Sequence, residues 1–159
     1  MNAARSLSLR VVAGGRPSHA WTVQVLFVCV HNAGRSVMAE ALFNRAAEGR
    51  AEAVSAGTVP GGAPHPTVVE SMREVGIDVA DHRGRLVTDE LVASADRVIT
   101  MGCAVDEEAC PAIRYRVVED WGLPDPKGQP LKRVREIRDE IDRRVRRLLA
   151  DMAPEPARG

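Results

Sequence analysis

The segment Cys29-Val30-His31-Asn32-Ala33-Gly34-Arg35-Ser36 sets a thiol and a guanidinium with five residues between them, and a hydroxyl directly after. A thiolate is a strong nucleophile, and a guanidinium presents a planar fork to two oxygens of a tetrahedral oxyanion. A short loop between them can turn its backbone amides onto the same anion. Gly34 permits a close approach that a side chain would block. Asn32 tolerates a left-handed backbone and can brace the loop with its amide. Ser36 can donate its hydroxyl to the sulfur. The expected nucleophile is therefore Cys29, and the expected oxyanion cradle is Val30, His31, Asn32, Ala33, Gly34, Arg35 and Ser36. A helix starting at Ser36 would add the dipoles of its first amides, which favour negative charge on ligand and sulfur alike. The competing reading is an inert buried cysteine ahead of an ordinary helix.

Spacing alone does not select this segment. Cys110 and Arg116 have the same separation, but no strand pattern precedes them and their loop has no glycine. That loop also begins with Pro111, which has no N–H to offer. Cys29 differs in its surroundings. Val23, Val25, Leu26, Phe27 and Val28 form an apolar run rich in β-branched residues, as in a central parallel strand. Met38, Ala41, Leu42 and Ala46 then share one face of a helix opening at Ser36. A strand delivers the cysteine and a helix receives the arginine.

The remaining elements alternate in the same way. Ala53–Gly57 reads as a second strand, and Val68, Val69, Met72 and Val75 as a helix stopped by Gly76. Thr88-Asp89-Glu90 opens a short helix through Val92 and Ala95. Arg97–Met101 is a third strand, and Arg116-Val117-Val118 a fourth. In the last segment Val134, Ile137, Ile141, Val145, Leu148 and Met152 recur every three or four residues. Its outer face pairs Asp139 with Arg143, Glu140 with Arg144, and Asp142 with Arg146, each acid four residues before its base. Alternating strands and helices imply a parallel sheet covered on both faces, with ligands beyond the C-terminal strand ends. Cys29 and Cys103 both fall at such ends. The expected organisation is a flexible extension over residues 1–21, one domain over 22–152, and a tail over 153–159.

Composition narrows the function classes. The 22 basic and 22 acidic residues cancel, which gives no general attraction to nucleic acid or anionic lipid. No apolar run reaches the ~20 residues of a membrane span. Leu7, Leu9, Val11 and Val12 are interrupted by Ser8 and Arg10, so no secretory h-region forms. A cytoplasmic monomer is expected. Three cysteines in a reducing compartment suggest thiol chemistry in place of structural disulfides. No Cys/His cluster has zinc-ligand spacing, and neither metal nor bound cofactor is expected.

Three further residues can join the chemistry. Asp125, stiffened between Pro124 and Pro126, can protonate an oxygen leaving the anion, or can be a turn aspartate. Cys103 and Cys110 flank the polar stretch Ala104–Ala109 and are either resolving thiols or unrelated ones.

Taken in order, Val25–Cys29, Asn32, Arg35-Ser36 and Met38-Ala39-Glu40 resemble the low-molecular-weight protein tyrosine phosphatase superfamily, above all its arsenate reductase branch. Ser55-Ala56-Gly57, Val75–Asp78, His82, Thr100–Cys103, Cys110-Pro111 and Trp121–Pro126 continue the likeness over about residues 23–150. The resemblance implies a flavodoxin-like α/β three-layer sandwich, a four-stranded parallel sheet with helices on both faces. It implies Cys29 as nucleophile, Arg35 as anion clamp and Asp125 as general acid, acting on arsenate or phosphate. It further implies a relay in which Cys103 and then Cys110 take over a disulfide and pass it to an external reductant. That reductant is thioredoxin or a low-molecular-weight thiol, through a mycothiol or glutaredoxin system. Lys127-Gly128 stand where the phosphatases carry tyrosines, which argues against an aryl-phosphate wall. A phosphomonoester hydrolase and a non-catalytic oxyanion module are the alternatives.

Overall fold

The computed structural model describes residues 23–102 and 118–152, the side chain of Val118 excepted. Cys103, Cys110, Arg116 and Val117 lie outside the described residues, as do the expected extension 1–21 and tail 153–159. The strands are β1 (Val23–Cys29), β2 (Ala51–Gly57), β3 (Arg97–Thr100) and β4 (Val118–Asp120). The helices are α1 (Arg35–Ala47), α2 (Pro66–Arg73), α3 (Asp89–Ser94) and α4 (Leu131–Met152). The sheet order is β2-β1-β3-β4, and every neighbouring pair is parallel. This is the flavodoxin-like α/β arrangement.

Strand β1 is central and buried on both faces, so its side chains divide the core by their alternation. Val25, Phe27 and Cys29 face the layer of α1, α2 and α4. Leu26 and Val28 face α3, with Ala56, Val87, Val92, Ala95 and Val98. With few aromatics the larger core is mostly aliphatic, but Phe27 gathers Phe43 at 6.1 Å and Trp121 at 5.4 Å between ring centroids. Each large side chain sealed there contributes roughly 1.5–3 kcal/mol.

Several elements differ in extent from the sequence expectation. The fourth strand continues to Asp120, so the Asp125 segment leaves the sheet at Trp121. Helix α2 starts on Pro66 and ends at Arg73, and a turn with Gly76 at φ +86° closes it, Ile77 N–H donating to Met72 O at 3.0 Å. Thr88 caps α3 by accepting from Leu91 N–H at 3.1 Å. On α4, Glu140 binds both Arg143 and Arg144, and Asp142 binds Arg146. The expected Asp139–Arg143 pair does not form. Asp139 pairs with Arg138, because that guanidinium is held toward α2 by Ser71 O and Glu74 and presents its other edge to the neighbouring carboxylate.

The strand order reverses direction between β1 and β3, which opens a crevice at their C-terminal ends. Cys29 ends β1 and Thr100 ends β3, so the thiol stands in that crevice. Among the described residues no helix is long and apolar enough to cross a membrane.

Candidate active site

The Cys29–Arg35 loop is shaped by its carbonyls. Cys29 O accepts from Thr58 N–H at 3.2 Å, Val30 O from Val59 at 2.8 Å, His31 O from Gly61 at 2.8 Å, and Ala33 O from His65 at 3.0 Å. One flanking segment, residues 58–65, thus holds four loop carbonyls outward, as a strand would. Their amides are left to face the other way. Among the described residues, the amides of His31, Ala33, Gly34, Arg35 and Ser36 have no backbone acceptor. The first turn of α1 carries no acidic residue and its N-cap, Gly34, makes no side-chain cap bond. Donors without backbone acceptors at a helix N-terminus can bind an anion.

Two glycines let the loop close. A Cβ on Gly57, at the end of β2, would lie 2.5 Å from Val30 O, so only glycine lets the second strand pass under the loop. A Cβ on Gly34 would lie 2.8 Å from Pro126, which packs over the loop beside the Asp125 segment.

Cys29 is 3% exposed. Its Sγ lies 2.8 Å from Ser36 Oγ and 3.3 Å from the Asn32 N–H, which donates to it. Asn32 Nδ2 donates to Ser36 Oγ at 2.8 Å, which leaves the Ser36 hydroxyl proton for the sulfur. Asn32 is fully buried with φ 51°, the left-handed backbone its residue type tolerates. Its Oδ1 accepts from Arg85 N–H at 3.1 Å and faces His82 Nε2 at 3.1 Å. Because Oδ1 is an acceptor, His82 donates from Nε2. Burial pushes the His82 imidazole below its ordinary range, the Glu40 carboxylate opposes that, and Arg85 and Arg83 reinforce it. Glu40 is itself engaged, accepting the Ser55 hydroxyl at 2.5 Å.

Arg35 is 7% exposed. Its Nη1 donates to Met101 O at 3.1 Å and Leu123 O at 2.8 Å, and its Nη2 stands 3.7 Å from Asp125 Oδ2. One guanidinium therefore joins the end of β3 to the Trp121–Pro126 segment. Asp125 is exposed, with Oδ1 accepting from Lys127 N–H at 2.9 Å. His65 sits near it at the head of α2. Burial lowers the His65 imidazole from its usual range, Asp125 opposes, and Lys127 and His31 add to the lowering.

The sequence-derived residues Cys29, Asn32, Arg35, Ser36 and Asp125 are thus gathered at one strand edge, while Cys103 and Cys110 lie outside the described residues. His82 and His65 carry no motif of their own in the sequence. Both are on loops, yet the His82 ring braces Asn32 across fifty residues of chain. No local pattern marks such a contact. The bracing of loop carbonyls by residues 58–65 was equally hidden, although a glycine at the end of a strand is a signal of close backbone approach.

The comparisons agree with this geometry. Residues 24–157 match the family model described as low molecular weight phosphotyrosine protein phosphatase. A Halobacterium salinarum protein that carries the name arsenate reductase provisionally is 40% identical over 139 residues, covering 84% of this chain and 96% of that protein. A solved structure titled "An arsenate reductase in the phosphate binding state" superposes with TM-score 0.73 at 33% identity, covering 83% of this chain and 100% of the other. The Corynebacterium glutamicum thioredoxin-dependent arsenate reductase superposes with TM-score 0.70 at 38% identity, covering 89% of this chain and 66% of the other. The chain is an enzyme of the low molecular weight phosphotyrosine protein phosphatase family.

Proposed function

We propose that this protein reduces arsenate to arsenite, with Cys29 as nucleophile and Val30, His31, Asn32, Ala33, Gly34, Arg35 and Ser36 as the oxyanion cradle. The single observation that carries the reading is the setting of the Cys29 sulfur. It receives the Asn32 amide and the Ser36 hydroxyl at the mouth of a loop whose Cys29, Val30, His31 and Ala33 carbonyls are bound by residues 58–65. Amides without a backbone acceptor beside the sulfur suit a bound oxyanion at the point of attack.

The thiolate attacks arsenic and forms a sulfur–arsenic bond as one oxygen departs. Asp125, facing the clamp at 3.7 Å, protonates that oxygen. The Cys103 thiolate then attacks Cys29 sulfur. A disulfide forms, the sulfur–arsenic electron pair stays on arsenic, and arsenite leaves. Cys110 attacks Cys103, freeing Cys29, and the Cys103–Cys110 disulfide is reduced by an external dithiol or by a low-molecular-weight thiol. Thioredoxin is the preferred donor, because a thioredoxin-dependent arsenate reductase is among the structural neighbours. A mycothiol or glutaredoxin system is the other. Such a cycle needs a reducing compartment, which fits a cytoplasmic enzyme.

The decisive experiment measures arsenite release with thioredoxin, glutathione/glutaredoxin and mycothiol systems in parallel, for wild type and Cys103→Ser. Turnover in wild type and its loss in the variant are expected. Undiminished turnover in Cys103→Ser rejects the relay. The second reading, a phosphomonoester hydrolase, is favoured by the exposed Asp125 beside Arg35. Vigorous aryl-phosphate hydrolysis without arsenate reduction selects it.

A further inference from the structure

We propose that Asp120 is a positioning residue for the oxyanion clamp: its carboxylate fixes the peptide unit whose carbonyl holds Arg35. The inference rests on Arg35 acting as that clamp, and on nothing further in the redox cycle.

The ladder between β3 and β4 ends at the pair Thr100–Asp120. Beyond it the carboxylate of Asp120 takes over the pairing. Its Oδ1 accepts the Thr100 hydroxyl at 2.7 Å and the Gly102 N–H at 2.8 Å, while Trp121 N–H donates to Thr100 O at 2.9 Å. The N–H of Gly102 and the C=O of Met101 belong to one peptide group. Asp120 holds the nitrogen end of that group, and Arg35 Nη1 holds its oxygen end at 3.1 Å.

A peptide group is planar and has no soft torsion between its N–H and its C=O. The link from Asp120 through this group to Arg35 is therefore stiff, although the carboxylate never reaches the anion cradle. It is also electrically aligned. A negative carboxylate faces the N–H, and a positive guanidinium faces the C=O, so each bond polarises the other.

The surroundings pack closely against one side of that peptide. Gly102 has φ +87°, and a Cβ there would lie 2.4 Å from Leu123 N and 2.7 Å from Gly122 Cα. The Met101–Gly102 turn thus lies flat against Gly122–Leu123. Leu123 supplies the second carbonyl that Arg35 holds, at 2.8 Å. Removing the Asp120 acceptor frees the peptide to rotate and takes one of the two anchors of the guanidinium out of register. Misplacement of a binding group by about an ångström can cost up to ~10²-fold.

The test uses inorganic phosphate as the probe and alkylation of Cys29 as the readout, on the full chain with Cys103 and Cys110 replaced by serine. In Asp120→Ala the phosphate concentration that halves the alkylation rate should rise about tenfold, a moderate part of that range. The rate without phosphate should stay within about twofold of the parent. In Asp120→Asn an amide oxygen can still accept both donors, so protection should stay within about twofold of the parent. Unchanged protection in Asp120→Ala overturns the proposal, as does equal loss in Ala and Asn. If Asp120→Ala fails to fold, Thr100→Val, which removes one of the two donors, should weaken protection by a smaller factor, and no change there overturns it. Phosphate failing to protect the parent itself would overturn the cradle reading, a different failure from the loss of the latch.

Discussion

Two buried arginines illustrate how one residue type comes to serve either the fold or the chemistry. Arg138 on α4 is 9% exposed and Arg35 on α1 is 7% exposed, so burial does not separate them. The partners do. Arg138 is engaged on all sides, with Ser71 O and Glu74 on Nη1 and Asp139 on Nε and Nη2. Glu74 in turn is bound by Arg135, and that contact together with Arg138 holds its carboxyl below the usual range. Among the described residues, Arg35 has backbone carbonyls on Nη1 alone and a loosely facing carboxylate at 3.7 Å. A buried guanidinium without complete satisfaction retains donors for a ligand. The first arginine ties α2 to α4. The second is the one that the proposed function assigns to the oxyanion.

The contrast can be broken most sharply at the sulfur of Cys29. Cys29→Ser should lower arsenite release by more than about 10³-fold while leaving the thermal midpoint near wild type, since a hydroxyl does not replace a thiolate nucleophile. Residual turnover near wild type would show that the poised side of the comparison is misplaced.

Arg35→Lys comes next. It keeps the charge but cannot bridge two carbonyls and an oxyanion with one planar fork. The kcat/KM for arsenate should fall by about 10²-fold, and phosphate should protect Cys29 from alkylation far less well. An unchanged constant would remove the distinction between the two arginines.

Arg138→Met should do the reverse. Ser71 O loses its donor, and stability should fall by about 2 kcal/mol in urea denaturation, while phosphate protection of the folded enzyme stays at its wild-type value. A variant of normal stability, or one with impaired protection, would break the comparison from the other side.

The smallest effect concerns pH. Burial holds His82 below the ordinary imidazole value, so the folded protein refuses a proton that the unfolded chain accepts. Stability from this group is present above about pH 6.5 and declines as the pH falls. His82→Gln should flatten the part of that decline between about pH 7 and pH 5. Urea midpoints at two pH values for both proteins measure it, and an unaltered slope would refute the role.

Much of this was readable in the chain. Strand β1, helix α1 and the loop between them follow from an apolar β-branched run, a helical repeat and a glycine placed between them. Local backbone preference and hydrophobic period are properties of neighbouring residues, so the sequence carries them directly. The α4 stripe is of the same kind, and only the Asp139 pairing differed, because a distant carbonyl on α2 had already claimed Arg138.

Cys29, Arg35 and Ser36 could likewise be selected by type and order before any coordinate was known. The sequence alone determined which atoms are available for chemistry and that a strand and a helix deliver them. The tertiary structure decided their environment: residues 58–65 turning the loop carbonyls outward, His82 bracing Asn32, and Met101 and Leu123 holding Arg35. Those contacts join residues tens of positions apart through backbone groups that every residue possesses. A side-chain alphabet does not encode which backbone groups will meet, and only the packed sheet edge brings them within reach.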